Sequence, residues 1–264
     1  MMSPSRSEKE FEFVSFNPLR KNLLDMIVKI GRASVPATLF YDVDMSKVEE
    51  SRAGFKQNDR NVTVTAYLLK AIAKAQLNHP ATRTQMLPNG SLVQLNKVCG
   101  QLTVEREIDG EPVLFFGEIR DLDTKSLTQI SEELFALGHT PVEHLPNLAM
   151  QYRFGNFPEL IRQVVIFIGL RFPSVRLKYM GATFGLSSMG KFGCRNIISP
   201  CVVTSMFCIG EVEKRPFVDG EKIVTRPQMS LVLNFDHRVM DGGVAARFVE
   251  DVIKLLTERF EELN

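Results

Sequence analysis

A histidine and an aspartate four residues apart are the residues of this sequence whose types and spacing could do chemistry. His237 follows MSLVLNF, a run that is apolar on both faces, as an inner β-strand would be. A buried strand can hold an imidazole in one orientation at the edge of a cavity, which a general base requires. Asp241 falls where a helix N-terminus is expected to stabilise a carboxylate. A satisfied polar histidine beside a simple helix cap fits the same spacing, so the pattern alone leaves both interpretations open.

The elements around this pair follow from hydrophobic periodicity. After Asp241, a final helix carries one apolar stripe, formed by Val244, Phe248, Val252, Leu255 and Leu256. Before His237, three segments have strand composition: ATFGLSS, PCVVTSMFCIGEV and IVTRPQMSLVLNF, with a turn at Asp219-Gly220 between the last two. The sequence therefore predicts that a strand runs directly into a helix through His237 and Asp241.

The N-terminal half alternates helices and strands. Helices are predicted from Asn17-Pro18 to Gly31, from a capping box of Ser46 and Glu49 to about Gly54, over 65–77, and from Thr124 to Leu137. Strands are predicted at 38–45 and in SLVQLNKV, QLTVERE and PVLFFGEI, with a hairpin turn at Asp109-Gly110. Four prolines interrupt the periodicity between 138 and 181, where we assign no element.

Composition narrows the class of protein. The 264 residues carry a net charge of +1 and no basic block, which argues against a nucleic-acid partner. The longest apolar run, at 164–170, is too short to cross a bilayer, so we expect a soluble, cytoplasmic protein without a membrane partner. The cysteines form no Cys-x-x-Cys pair, which predicts core thiols and neither disulfides nor a metal site. They are Cys99, Cys194, Cys201 and Cys208.

Two motifs resemble the catalytic domain of the dihydrolipoamide acyltransferases, the E2 components of 2-oxoacid dehydrogenase complexes. DHRVMDG matches the histidine motif of that family, and GATFGLSSMG matches its serine strand, with Ser187 standing 50 positions before His237. LRKNLLDMI, VPATLFYDVD and VTVTAYLLKAIAKAQLNHP are similar to the family's first helix, the strand that follows it and a later helix. The resemblance implies an α/β fold, a two-layer sandwich with a mixed β-sheet, which chloramphenicol acetyltransferase shares.

The resemblance also implies roles for individual residues. His237 would remove the proton of an acceptor thiol, and Ser187, from the adjacent subunit of a homotrimer, would donate a hydrogen bond to the oxyanion. Ser188 is the alternative donor, because strand alternation points only one of the two serines to a given face. Asp241 would be structural, held by Arg20 of the first helix. Two alternatives stay open: Asp241 is a simple helix cap, and Arg20 is a solvated residue of the first turn.

Departures from the family pattern concern the pocket. Gly185 replaces a threonine after the phenylalanine of the serine strand, Ala37 replaces a histidine, and residues 138–180 replace a shorter segment. Several basic residues surround the serine strand, and a solvated basic face is favoured for them over a site for coenzyme A phosphates. They are Arg171, Arg176, Lys178, Lys191 and Arg195.

The prediction is an acyltransferase domain over 15–264, after a flexible segment at 1–14, without a lipoyl domain of its own. It would move an acyl group from coenzyme A, or a carrier-bound pantetheine thioester, to a small thiol, hydroxyl or amine. One alternative is the acyl-transfer core of a 2-oxoacid dehydrogenase complex that uses lipoyl domains in trans, as a trimer or a larger shell. The other alternative is a trimeric scaffold without turnover.

Overall fold

Helices and strands follow one another along the chain with short connections. The structure is a computed structural model that describes residues 17–263, apart from the side chain of Met26. Its elements are α1 (Arg20–Lys29), β1 (Pro36–Asp44), α2 (Ser46–Gln57), α3 (Val64–Asn78), β2 (Thr84–Met86), β3 (Leu92–Gln94), β4 (Cys99–Ile108), β5 (Glu111–Arg120), α4 (Leu127–His139), α5 (Pro146–Gly155), α6 (Glu159–Arg171), α7 (Pro173–Tyr179), β6 (Phe184–Ser188), β7 (Ser205–Asp219), β8 (Lys222–Asp236) and α8 (Gly242–Thr257). The predicted segment 1–14 lies outside the described residues.

One mixed sheet organises the fold. Its strand order is β1-β8-β7-β6-β4-β5, and β2 pairs with β3 in a separate ribbon. β6 runs parallel to β4 and β7, whereas the other neighbouring strands are antiparallel. β8 is buried without interruption from Met229 to Asp236. This confirms both the predicted mixed α/β sheet and the inner strand that precedes His237.

The final helix packs against the sheet as predicted. α8 lies beside α3 and buries Phe248, Val252, Leu255 and Leu256, while Val244 is half-buried. These side chains join the inward-facing residues of the strands in one continuous apolar core. Because α8 is fixed by this stripe, the turn between β8 and α8 is anchored at both ends.

The other face of the sheet carries a smaller apolar cluster. Met206, Cys208 and Val232 form it, with Ile197 and Val203 packed against them. Side chains alternate between the two faces along each strand. Every second residue of β6, β7 and β8 therefore points away from α3 and α8, toward this cluster.

The second helix does not begin at the predicted capping box. Asp44 is the residue that accepts, since its Oδ1 takes hydrogen bonds from the Ser46 N–H at 2.9 Å and the Ser46 hydroxyl at 2.6 Å. Glu49 pairs instead with Arg52, at 2.6 Å. α2 then continues through Gly54 to Gln57. The Ser46 and Glu49 capping box is therefore wrong, because a neighbouring carboxylate competes for the same donors.

Residues 138–181, for which we predicted no element, contain three helices. α5 and α7 begin at Pro146 and Pro173, and Pro158 is the N-cap residue of α6. Proline fixes φ and has no N–H, both of which suit the first turn of a helix. The prolines that interrupt the periodicity here mark where helices start.

A buried arginine holds α6 against α1. Arg162 has no exposed surface, pairs with Asp25 and donates to Asn22 Oδ1 at 3.0 Å. Its guanidinium carbon lies 5.2 Å from the centre of the Phe154 ring. A buried charge is costly unless it is paired and hydrogen-bonded, so these contacts fix the position of α6 on the domain.

Residues 17–263 contain neither a candidate membrane span nor a cluster of metal-ligating side chains. No helix there has the length and apolar character needed to cross a bilayer. The cytoplasmic location stays a prediction. That range also holds no group of three or more metal-ligating side chains. Cys99, Cys201 and Cys208 are buried free thiols and Cys194 is half-buried, and burial raises the pKa of Cys99 and Cys201 to about 12.

Candidate active site

His237 lies one residue beyond the end of β8. Its backbone N–H donates to the Val35 carbonyl at 2.8 Å, which ties the turn to the segment before β1. The imidazole lies beside the Phe235 ring, with the ring centroids 5.5 Å apart, and 47% of the side chain is exposed. The structure therefore places the predicted base on rigid support with an open side.

The residues on either side of His237 form an ion pair that the sequence analysis did not single out. Arg238 donates from Nε to Asp236 Oδ1 at 2.9 Å and from Nη2 to Asp236 Oδ2 at 2.6 Å. Burial raises the pKa of the Asp236 carboxyl, but hydrogen bonds from Arg238 and Val35 outweigh burial and lower that pKa overall. The order Asp-His-Arg in the sequence is the signal that could have revealed this pair. It closes the turn around His237.

Asp241 occupies the N-cap position of α8 with φ −81° and ψ 158°, but its side chain makes no capping hydrogen bond. The carboxylate is 88% exposed, and its Oδ1 lies 3.8 Å from His237 Nδ1. That separation is too long for a hydrogen bond yet close enough for charge attraction. Nδ1 is therefore the ring nitrogen nearest this carboxylate, and Nε2 is the nitrogen that we assign as the proton acceptor.

The predicted pairing of Asp241 with Arg20 is not formed within the described residues. Arg20 is exposed at the start of α1, three residues after Asn17, whose side chain donates to Glu111 at the start of β5. β5 forms one edge of the sheet, whereas β8 lies next to the other edge. A single chain therefore keeps the two side chains apart, and the structural role of Arg20 stays a prediction.

Ser187 faces the side of the sheet opposite α3 and α8. It is 7% exposed and lies next to Cys208 in the register of β6 and β7. The preceding residue, Leu186, belongs to the main core, and Ser188 is exposed. Alternation thus separates the two candidate serines as predicted, and Ser187 is the one that shares a face with Asp236.

Ser187 and His237 are far apart within one chain. Ser187 pairs with Cys208, and Cys208 pairs with Val232, so Ser187 lies two strands away from β8 and at the level of Val232. His237 is five residues further along. With strands about 4.8 Å apart and a rise of about 3.3 Å per residue, the separation is on the order of 20 Å. One chain alone cannot place both groups on the same reacting carbonyl, since each must lie within about 3 Å of its target atom.

The structure gives a physical reason for the departure at Gly185. A Cβ added there would lie 2.3 Å from Met206 Sδ and 3.3 Å from Val203 Cγ2. Met206 is buried and belongs to the smaller apolar cluster. Its thioether therefore fills the space that a side chain at position 185 would need.

Gly185→Thr is expected to lower the free energy of unfolding by about 1–3 kcal/mol, because it overpacks this face. Met206→Ala also destabilises the protein, since it removes buried packing. The double variant should lose less than the sum of the two single losses, because the two side chains compete for one space. Urea unfolding followed by circular dichroism measures all three variants, and strictly additive losses would contradict the shared space.

The basic residues near β6 do not form one patch. Lys191 pairs with Glu105 at 3.4 Å, and Arg195 pairs with Glu213 at 3.2 Å. Arg171 and Lys178 are exposed, whereas Arg176 lines a cavity. Four of the five residues are exposed to solvent, as we favoured, and Arg176 is the exception.

Two solved structures that share this fold are acetyltransferases. The dihydrolipoamide acetyltransferase of Azotobacter vinelandii has a TM-score of 0.73 and 22% identity, over 100% of both chains. Chloramphenicol acetyltransferase has a TM-score of 0.53 and 13% identity, over 87% of this chain and 92% of the enzyme. At these identities the likeness concerns the fold. The mixed sheet, with His-x-x-x-Asp-Gly at the junction of β8 and α8, defines a domain of the chloramphenicol acetyltransferase-like fold class.

Residues 8–142 and 176–263 match the family described as 2-oxoacid dehydrogenases acyltransferase (catalytic domain). The chain belongs to this family. The acetyltransferase component of the pyruvate dehydrogenase complex of Buchnera aphidicola is 22% identical over 266 residues, which cover 97% of this chain and 58% of that protein. The corresponding component of Pseudomonas aeruginosa is 26% identical over 94% of this chain and 42% of that protein. The chain thus spans about half the length of the curated relatives it matches.

Proposed function

We propose that this domain transfers an acyl group from coenzyme A, or a related pantetheine thioester, to a small acceptor thiol, hydroxyl or amine. Coenzyme A enters this reaction as the acyl-CoA substrate. The observation that carries the proposal is His237, held at the end of β8 with an open imidazole, in a chain of an acyltransferase family. A non-catalytic scaffold would not need that arrangement.

In the proposed reaction, His237 Nε2 removes the proton of the acceptor, and the freed nucleophile attacks the thioester carbonyl carbon. The carbonyl oxygen becomes an oxyanion, to which a serine hydroxyl donates a hydrogen bond. When the tetrahedral intermediate collapses, the carbon–sulfur bond breaks and the leaving thiolate takes the proton from the imidazolium. Asp241, whose Oδ1 lies 3.8 Å from Nδ1, has a structural role at the turn in this proposal.

A homotrimer with active sites between subunits completes this arrangement. The separation of Ser187 from His237 within one chain supports it, because the oxyanion donor then has to come from a second copy. Exposed apolar side chains on α6 support it too, since a contiguous apolar surface marks an interaction site. Leu160 is 77% exposed and Phe167 is 68% exposed. We propose a second copy of this chain as the partner that covers them.

A second candidate is acyl transfer to or from a lipoyl group carried by another protein. The names of the curated relatives favour it, since these are dihydrolipoyllysine-residue acetyltransferases. A larger shell belongs to the same candidate, because the cubic core of a pyruvate dehydrogenase multienzyme complex shares the fold, with a TM-score of 0.70 at 22% identity. The acceptor is what distinguishes the two candidates.

The test is thioester consumption by the purified protein. A panel of acyl-CoAs is offered with dihydrolipoamide in one series and with mixed small thiols, alcohols and amines in another. We expect release of free coenzyme A that depends on an acceptor. Turnover confined to dihydrolipoamide, together with a mass well above a trimer, would favour the second candidate. A folded trimer without turnover in either series would contradict both and favour the scaffold.

A further inference from the structure

A cavity of about 190 Å³ lies beside the turn that carries His237. Asp236 and Arg238 form part of its wall. Successive side chains of a strand point to opposite faces of the sheet, so Asp236 and Phe235 lie on different faces. The His237 imidazole lies beside Phe235. The other walls come from the end of α1, from β2 and β4, and from α6 and α7. Leu170 lies in the segment between the two stretches matched by the family, and Arg176 is the first residue of the second stretch.

Positive charge is in excess around this cavity. Among residues 17–263, the only carboxylate in its lining is that of Asp236, which already accepts both hydrogen bonds of the Arg238 fork and one from the Val35 N–H. Arg176 forms no ion pair within residues 17–263, and its buried Nε has no hydrogen-bond partner there. Burial and the charge of Arg238 lower the pKa of Arg176, but a guanidinium stays charged in proteins. Lys29, which also lines the cavity, donates to the neutral amide of Gln163.

Most other polar groups of the lining are already engaged. The Ser34 hydroxyl donates to the Gly31 carbonyl at 2.6 Å, and the Thr204 hydroxyl donates to the Thr84 carbonyl. Gln85 donates to the Ala182 carbonyl at 2.8 Å. Two groups are left over in the part of the chain that the structure describes. They are the guanidinium of Arg176 and the side-chain amide of Gln101.

We propose that this cavity binds the carboxylate of a small organic ligand, which pairs with Arg176 and accepts a hydrogen bond from Gln101. A guanidinium fork matches the two oxygens of a carboxylate, and the charge of the ligand offsets the unpaired cation. A phosphate dianion brings more oxygens than the free donors satisfy, in a cavity with a largely apolar wall. That wall, which includes Leu87, Leu170 and Val203, contacts the carbon chain of the ligand.

Two sources of the carboxylate can be distinguished. It is either the far end of the transferred acyl group or a separate carboxylic acid. The first source rests on the proposed function and makes the cavity a determinant of acyl-chain preference. The second source is independent of turnover. Both predict the same binding chemistry at Arg176, so binding is measured before catalysis.

Isothermal titration calorimetry compares butyrate with the neutral butyramide and with inorganic phosphate. Wild type is expected to bind butyrate at least about tenfold more tightly than either of the others, because only butyrate offers a single carboxylate. Arg176→Gln should remove this difference, and Arg176→Lys should retain part of it. Arg60→Gln, a change at an exposed arginine between α2 and α3, should leave it intact. Equal binding of butyrate and butyramide, undiminished binding by Arg176→Gln, or tighter binding of phosphate would overturn the proposal.

The source of the carboxylate is then identified by comparing kcat/KM for succinyl-CoA and butyryl-CoA, which differ by a terminal carboxylate. A preference for succinyl-CoA that Arg176→Gln abolishes, with butyryl-CoA turnover unchanged, assigns the carboxylate to the acyl chain. Equal kcat/KM values, with butyrate still bound in the presence of acyl-CoA, assign it to a separate acid. Absence of turnover with these two thioesters and with the rest of the acyl-CoA panel would contradict the proposed function while leaving the calorimetric result valid.

Discussion

Replacing His237 by alanine is expected to lower the rate of acyl transfer by roughly 10²–10⁴-fold, because the acceptor then loses its general base. The fold should persist. The side chain is 47% exposed, and the hydrogen bond that ties the turn to Val35 comes from the backbone. The rate of thioester consumption measures the loss, and circular dichroism shows that the variant is folded. Added imidazole is expected to restore part of the rate, since it replaces the missing base.

His139→Ala is the matched control for this prediction. His139 is exposed at the end of α4, where its ring stacks on Phe135 with the centroids 4.0 Å apart. We expect wild-type turnover from this variant. A His237→Ala protein that keeps the wild-type rate would show that the base is elsewhere, and the proposed mechanism would have to be abandoned.

The strand and turn that position His237 could be predicted because their signals are local. β8 is apolar on both faces because it is an inner strand, and that run is visible in the sequence. Asp109 and Gly110 both have positive φ, 53° and 80°, which is the turn that an Asp-Gly pair favours between two strands. The α8 stripe is equally local, since one apolar face of a helix needs no knowledge of its partner.

Features that depend on tertiary contacts could not be predicted in this way. From the sequence alone, an arginine such as Arg162 would be expected at the surface. Its burial is stable because α1 packs nearby and Asp25 pairs with it. The cavity at Arg176 is likewise assembled from segments distant in sequence. The resemblance to a family supplied Ser187 and His237 as a pair, but their separation follows from strand order and register, which no local pattern contains.

That separation leads to the second large effect. A mixture of Ser187→Ala and His237→Ala chains is expected to recover activity that neither variant has alone. Ser187→Ala by itself should lose roughly 10²–10³-fold, the usual cost of one oxyanion donor. Chains unfolded together in equal amounts and refolded should assemble at random. About a quarter of the sites in a symmetric oligomer then combine an intact His237 from one chain with an intact Ser187 from another.

A second mixture tests the same arrangement by a loss of activity instead of a recovery. An equal mixture of wild-type chains and chains carrying both substitutions, refolded together, should have about a quarter of the activity of the same total amount of wild-type chain if sites form between chains, and about half if each chain holds its own site. Recovery in the first mixture, together with the lower value in the second, requires Ser187 of one chain to act on the substrate of another. A first mixture that stays at the level of Ser187→Ala would contradict the between-chain site. Since the register keeps Ser187 on the order of 20 Å from the His237 of its own chain, that outcome would also exclude Ser187 as the oxyanion donor.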